Sequence, residues 1–176
     1  MTKTKRTLIP TDFTVGSLTV VIDYLSETSD TAIDLILAHG QKSSDSITEL
    51  LGFDKHYYLE KGYRADFLTA CQIIKTRFED RVNDLYSDII SSKNDAYIRN
   101  YLKGNKIDTV ILPDDTSYSK SVENSFCVLA ALRKNCLKLN IPILEIATTR
   151  TYIEENRSED SISNIFFRKN LKNATY

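Results

Sequence analysis

Short apolar runs alternate along this chain with longer segments in which apolar residues recur every three or four positions. The short runs predict buried strands, and the longer segments predict amphipathic helices. Strands are predicted at residues 7–10, 32–39, 85–90, 109–112 and 141–146. A regular alternation of strands and helices favours a parallel sheet, because successive parallel strands are joined by right-handed crossover helices.

Several strands read as continuous apolar runs, such as TVIL and LILA, rather than as alternating patterns. Burial on both faces of a sheet explains such runs. The sequence therefore predicts an open, Rossmann-like α/β fold, with a five-stranded parallel sheet of order 3-2-1-4-5 and helices on both faces. Residues 1–147 form this domain, and the polar residues 148–176 form an extension that we expect to dock on the domain or on a partner subunit.

Helical periodicity begins at Thr14 and predicts a first helix whose inner face carries Val15, Leu18, Ile22 and Leu25. A later helix is predicted over residues 64–83, with Val82 on its inner face. Residues 85–90 could extend that helix, but the turn residues that follow them favour a strand. The helix after the fourth strand is predicted to bury Val122, Phe126, Leu129, Leu132 and Cys136.

Charge and hydropathy exclude several classes of protein. The chain has 23 basic and 24 acidic residues and a net charge of −1, without the basic excess that nucleic-acid binding proteins use. No apolar run approaches the roughly 18 to 20 residues that span a bilayer, and the N-terminus lacks the apolar region of a signal peptide. We therefore expect a cytoplasmic protein that binds neither nucleic acid nor membranes.

The residues that most often carry chemistry do not form a familiar motif. Cys71, Cys127 and Cys136 each fall in an apolar part of a predicted helix, so buried free thiols are expected. His39 and His56 do not combine with them into a zinc-binding spacing. Motifs for a catalytic nucleophile, a dinucleotide or a P-loop phosphate site are also absent. We therefore expect no enzymatic activity, no catalytic residue, no metal and no cofactor.

A ligand site is predicted where the strand order reverses, because open parallel sheets bind ligands there, beyond the carboxyl ends of the strands. In the order 3-2-1-4-5 this point lies between the first and fourth strands, whose following loops are polar. His39 ends the second strand on the same rim. The candidate ligand-binding residues are Pro10, Thr11, Asp12, His39, Pro113, Asp114, Ser119, Lys120 and Ser121.

These residues also have structural interpretations. Asp12 is suited to capping the first helix, and Ser119 and Ser121 are suited to capping the helix after the fourth strand. His39 can serve as a hydrogen-bonded residue at a strand end. Carboxylates on one rim could hold Mg²⁺, but that requires a convergence of side chains that the sequence does not show.

The segment PTDF at residues 10–13, with the apolar strand before it, resembles the first strand of universal stress proteins, which typically read ILVPTDFS. LILAHG at 35–40, IDTVIL at 107–112 and IPIL at 141–144 are similar to later strands of that family, in the same order and spacing. The resemblance covers residues 5–147. It implies a stress-response or signalling module that acts through protein contacts.

One segment departs from the pattern of the family. ATP-binding members carry a GxxGxxxxxxxxxG[ST] segment after the fourth strand, whose glycines let backbone N–H groups approach the phosphates. Residues 113–121 of this chain, PDDTSYSKS, contain no glycine, and Asp114 and Asp115 would repel a triphosphate. We therefore expect a member that does not bind ATP in the family's manner.

Two other functions remain as alternatives. Asp12 matches the family's nucleotide-contacting aspartate, so a nucleotide-binding or nucleotide-hydrolysing switch that uses Asp12, Lys120 and Ser121 is the second hypothesis. An adenylate-forming enzyme or a phosphoesterase is the third, although it would need a glycine loop or a metal cluster that the sequence does not reveal.

The resemblance further implies a homodimer that pairs through the fifth strand at the edge of the sheet. An apolar edge strand is exposed unless something covers it. The residues expected at this interface are Ile141, Ile143, Leu144, Glu145 and Ile146.

Overall fold

Five strands form a single sheet in the computed structural model, which describes residues 4–30, 32–42, 65–114, 124–147 and 166. The strands are β1 (Lys5–Pro10), β2 (Ile33–Gly40), β3 (Val82–Ile90), β4 (Thr109–Pro113) and β5 (Ile143–Ile146). Their order is β3-β2-β1-β4-β5, and every neighbouring pair is parallel. The predicted fold class and strand order are confirmed.

Helices cover both faces of the sheet. The four α-helices of the described ranges are α1 (Thr19–Glu27), α2 (Ala65–Arg77), α3 (Asp95–Gly104) and α4 (Leu129–Leu139). Ile9 of β1 belongs to the apolar layer under α1 and α2, whereas its neighbour Leu8 belongs to the layer under α3 and α4. Burial of both faces is the reason that the strands read as continuous apolar runs.

None of the helices in the described part of the chain has the length and apolar character needed to cross a bilayer.

The first helical segment begins as a short 3₁₀ helix, Val15–Leu18, and continues as α1. Thr14 is the N-cap, and its side chain accepts a hydrogen bond from the backbone N–H of Ser17. Such 3₁₀ turns are common where α-helices begin. The predicted inner face is confirmed, because its four residues, Val15, Leu18, Ile22 and Leu25, are all buried.

The predicted boundary between α2 and β3 is wrong by several residues. Helical periodicity extended the helix to residue 83, but α2 ends at Arg77 and residues 78–81 form turns. Val82 is the first residue of β3 and pairs with Ile33 of β2. Val82 is buried against the same apolar layer that receives α2, so its apolar character did not distinguish helix from strand. The ambiguous residues 85–90 are confirmed as strand.

The helix after β4 begins later than predicted. Phe126 precedes α4, whose first residue is Leu129, and Val122 lies outside the described residues. Cys127 also precedes the helix and is exposed, so the prediction of a buried thiol is wrong at this position. Cys71 and Cys136 are buried as expected, and burial raises the pKa of these thiols to about 12 and about 11 respectively.

Ile141 lies before β5 rather than within it. Asn140 adopts a left-handed conformation, with φ of 54°, and ends α4. The backbone N–H of Ile141 donates to the carbonyl of Cys136, which satisfies one of the last carbonyls of the helix. The edge strand that was predicted to begin at residue 141 therefore begins at Ile143.

Phe166 is the one described residue of the C-terminal extension. It is buried in the apolar layer under α1 and α2. Arg77 at the end of α2 donates from Nη1 to the carbonyl of Phe166 at 3.3 Å, and its guanidinium carbon lies 5.8 Å from the centre of the Phe166 ring. This residue of the extension thus packs on the domain.

Candidate binding site at the carboxyl edge of the sheet

The strand order reverses at β1, which pairs with β2 on one side and with β4 on the other. Thr7 is paired with Thr109, so the loops that follow β1 and β4 leave the sheet at neighbouring positions. Six candidate residues lie along this carboxyl edge: Pro10, Thr11, Asp12, His39, Pro113 and Asp114. Ser119, Lys120 and Ser121 lie outside the described residues.

The side chains of Thr11 and Asp12 are buried in the turn that joins β1 to the 3₁₀ helix. Thr11 Oγ1 accepts a hydrogen bond from the backbone N–H of Phe13 at 3.0 Å and lies 2.8 Å from Ser17 Oγ. Asp12 Oδ1 accepts hydrogen bonds from the backbone N–H and the hydroxyl of Thr14, at 3.1 and 2.5 Å. Asp12 therefore orients the N-cap residue Thr14 rather than capping the helix itself.

The turn holds Phe13 in the left-handed region, with φ of 61°. A non-glycine residue in this region is disfavoured by roughly 1 to 3 kcal/mol, so the surrounding contacts must stabilise it. The Phe13 ring lies 4.4 Å from the His39 ring and 5.6 Å from the Phe67 ring, between centroids. Aromatic packing and the hydrogen bonds of Thr11 and Asp12 together maintain this conformation.

His39 connects the ends of β1 and β2. Its Nδ1–H donates to the backbone carbonyl of Thr11 at 2.8 Å, so in the neutral ring the lone pair lies on Nε2. Burial lowers the pKa of His39 below its ordinary value, and the hydrogen bond to Thr11 and the charge of Asp12 offset this only in part. His39 is therefore a neutral, buried imidazole near pH 7.

A second segment covers the carboxyl end of β2. Residues 124–126, which we call the strap, form an antiparallel bridge in which Gln41 lies opposite Ser125. The Phe126 N–H donates to the Gly40 carbonyl at 2.8 Å, and the Lys42 N–H donates to the Asn124 carbonyl at 3.0 Å. A Cβ atom at Gly40 would lie 2.3 Å from the Phe126 carbonyl oxygen, so the close approach of the strap requires glycine at this position.

The sequence predictions did not include Gln41, Ser125 or the strap. The contact joins positions that are far apart in the chain, and neither residue belongs to a motif. Gly40 was the one available signal, because a glycine at a strand end often marks the close approach of another backbone.

Pro113 and Asp114 form the end of β4. Pro113 is buried and Asp114 is exposed, and the Asp114 N–H donates to the Ile146 carbonyl at 3.1 Å, which continues the pairing with β5. Within the described ranges, no group of three or more histidine, cysteine or acidic side chains is arranged to hold a metal ion.

The β5 edge of the sheet exposes apolar side chains. Leu144 is 46% exposed and Leu137 of α4 is 73% exposed. Arg133 of α4 donates from Nε to Glu145 Oε1 at 3.0 Å, which shows that this side of α4 faces β5. Since Leu137 lies one helical turn after Arg133, it shares that side of the helix. Ile143 and Ile146 are half-buried.

Sequence comparisons identify no relative, because no family model and no curated protein matches the chain. Solved structures do match it. The hypothetical protein PH0823 is 18% identical, with a TM-score of 0.50 over 81% of this chain and 96% of its own. UspA from Lactobacillus plantarum is 11% identical, with a TM-score of 0.47 over 83% of this chain and 99% of its own.

A universal stress protein family member from Burkholderia pseudomallei is 10% identical, with a TM-score of 0.47 over 82% of this chain and 96% of its own. Identities in this range are informative about fold alone. The strand order, the parallel pairing and the helices on both faces agree with what the PTDF resemblance implied. The chain therefore has an open, Rossmann-like α/β fold, which PH0823 shares over 81% of this chain.

Proposed function

We propose that this chain is a stress-response or signalling module that acts in the cytoplasm through protein contacts, as a homodimer, and that it is not an enzyme. The observation that carries the proposal is the exposed apolar edge at β5. Its main-chain groups are paired on one side only among the described residues, and Leu137 and Leu144 flank it. An edge of this kind is protected most simply by a second copy of itself.

We further propose that the protein does not bind ATP in the family's manner. Residues 113–121 contain no glycine, and Asp114 adds negative charge where phosphates would lie. Two like charges about 4 Å apart repel by roughly 1 kcal/mol in water and by more in a partly dry cleft. Asp12, which matches the nucleotide-contacting aspartate, already accepts two hydrogen bonds from Thr14.

Two measurements test this function. Size-exclusion chromatography with light scattering at micromolar concentration should give the mass of a dimer, and a strict monomer would contradict the homodimer. A thermal-shift screen with ATP, AMP, cyclic nucleotides and Mg²⁺ should give no stabilisation. A ligand at one hundred times its Kd stabilises a protein by about 2.7 kcal/mol, so about 1 mM nucleotide would reveal binding with a Kd of about 10 μM or tighter. A saturable shift with a nucleotide would support the switch instead.

A further inference from the structure

Three buried polar atoms on the carboxyl edge have no hydrogen-bond partner among the described residues: His39 Nε2, Gln41 Oε1 and Ser125 Oγ. His39 and Gln41 are 3% and 4% exposed. These two residues lie two positions apart in extended chain, so their side chains project to the same face. Ser125 lies opposite Gln41 in a pair flanked by backbone hydrogen bonds, the arrangement that brings side chains closest.

These atoms cannot satisfy one another. The His39 Nδ1–H is donated to Thr11, which leaves a lone pair on Nε2, and Gln41 Oε1 is also an acceptor. The hydroxyl of Ser125 has a single hydrogen to donate. At least one acceptor of the group therefore requires an N–H or O–H donor from elsewhere.

The closed position of the strap combines favourable and unfavourable contacts. Its two backbone hydrogen bonds to Gly40 and Lys42, and the Lys93 ammonium 5.1 Å from the Phe126 ring centre, favour closure. Burial of unpaired acceptors opposes closure, because a buried polar atom without a partner costs at least as much free energy as a hydrogen bond contributes. The strap is therefore held less firmly than the central strands.

We propose that the strap opens, and that a small uncharged molecule binds between the strap and the sheet edge through hydrogen bonds donated to His39 and Gln41 of the edge and to Ser125 of the strap. A primary amide fits this chemistry, because its NH₂ group supplies two donors. An anion would add acceptors to a group of acceptors. A buried cation would need a counter-charge, and the nearby Asp12 carboxylate is already engaged by Thr14. The rings of Phe13 and His39 favour an aromatic amide.

Amide hydrogen exchange measured by NMR on the intact chain tests the opening. The Phe126 and Lys42 amides should exchange at least about a hundredfold faster than the Ile9 amide of β1, because local opening precedes global unfolding. Gln41→Met removes an unpaired acceptor at similar volume and should slow strap exchange by about tenfold. Gln72→Met, at an exposed position of α2, is the matched control and should change nothing. The proposal would be overturned if the strap amides exchange as slowly as the Ile9 amide, or if they exchange faster in Gln41→Met than in the parent protein.

Benzamide and benzoate test the ligand class, since they differ in donating and accepting groups on the same ring. Millimolar benzamide should shift the His39 Nε2 resonance and the Gln41 and Ser125 signals, and benzoate should not. Gln41→Met should weaken the benzamide response at least tenfold. Equal responses, no response, or a bound water as the sole occupant would contradict the site. Neither result affects the dimer or nucleotide measurements, so the two proposals fail independently.

Discussion

The two edge strands of the sheet differ in length and in the side chains that they carry. β3 has nine residues and includes four polar or acidic ones, Asn83, Asp84, Ser87 and Asp88. β5 has four residues, of which Glu145 is the one polar residue. Charged and polar side chains discourage an edge from pairing with another chain, whereas an apolar edge invites it. The difference supports the proposal that β5, rather than β3, is the edge that pairs in a homodimer.

The strands also differ in how a helix is fixed to them. On β3, the hydroxyl of Tyr101 in α3 donates to the buried carboxylate of Asp88 at 2.8 Å. On β5, Arg133 of α4 pairs with Glu145 in a more exposed position. Buried hydrogen bonds to a charged group contribute more than exposed ion pairs. Among the described residues, β3 is thus tied to its own domain by a buried hydrogen bond, whereas the contact at β5 is an exposed ion pair.

The largest effect is expected from Leu144→Lys, which places a charge in the proposed dimer interface. The dimer Kd should rise at least about a hundredfold, equivalent to about 3 kcal/mol. Leu68→Lys on α2 is the matched control, because Leu68 is 49% exposed and Leu144 is 46% exposed. Sedimentation equilibrium measures both variants. If Leu68→Lys also dissociates the dimer, or if Leu144→Lys leaves the dimer intact, β5 is not the dimer interface.

Asp88→Ala should destabilise the domain by about 2 kcal/mol, because it removes the acceptor of a hydrogen bond to a charged group and leaves the Tyr101 hydroxyl without that partner. Asp84→Ala on the same strand removes an exposed ion pair with Lys75 and a hydrogen bond from the N–H of the next residue, a contact that Asp88 also makes, and should change stability by less than about 1 kcal/mol. Urea denaturation compares the two. Equal losses would show that β3 is not anchored through Asp88.

A smaller effect is expected at alkaline pH. Burial, and then the negative charge of Asp88, raise the pKa of Tyr101 above its ordinary value of 10.0. Above about pH 10, Tyr101 loses its hydroxyl proton in the unfolded chain but retains it in the folded chain, so the free energy of unfolding falls as pH rises. Tyr101→Phe should show a shallower decline in urea denaturation between pH 9 and about 11. A decline of the same slope in both proteins would exclude Tyr101 as its source.

The smallest effect is expected from Glu145→Gln. This change removes the charge that Arg133 contacts, and exposed pairs of this kind contribute up to about 1 kcal/mol. Thermal unfolding should therefore place the variant within about 0.5 kcal/mol of the parent. A loss above about 2 kcal/mol would mean that the pair between Arg133 and Glu145 is desolvated in the folded protein.

Periodicity was sufficient for the elements that bury one clear face. The inner face of α1 follows directly from the spacing of its apolar residues. It was insufficient at Val82 and Phe126, where apolar residues outside a helix continue the helical spacing. Buried positions in a strand, a turn and a helix all favour the same side chains, so boundaries depend on backbone hydrogen bonds rather than on residue type.

The candidate site was predictable only in outline. The PTDF segment located Asp12 at the carboxyl edge, but not the two hydrogen bonds by which Asp12 orients Thr14. His39 was recognised as a residue of the rim, whereas its contact with the Thr11 carbonyl required knowledge of the strand register. Local sequence identifies the polar groups that are available, and the register determines which of them meet.

The sequence by itself determined the class of fold, because continuous apolar strands separated by amphipathic helices can bury both faces only in a parallel sheet covered on each side. It also determined that residues 113–121, which follow the fourth strand, contain no glycine. The tertiary structure alone decided that the strap crosses Gly40 and buries Gln41 against Ser125. Contacts between distant segments depend on the path of the chain in space, which the spacing of residues along one segment does not encode.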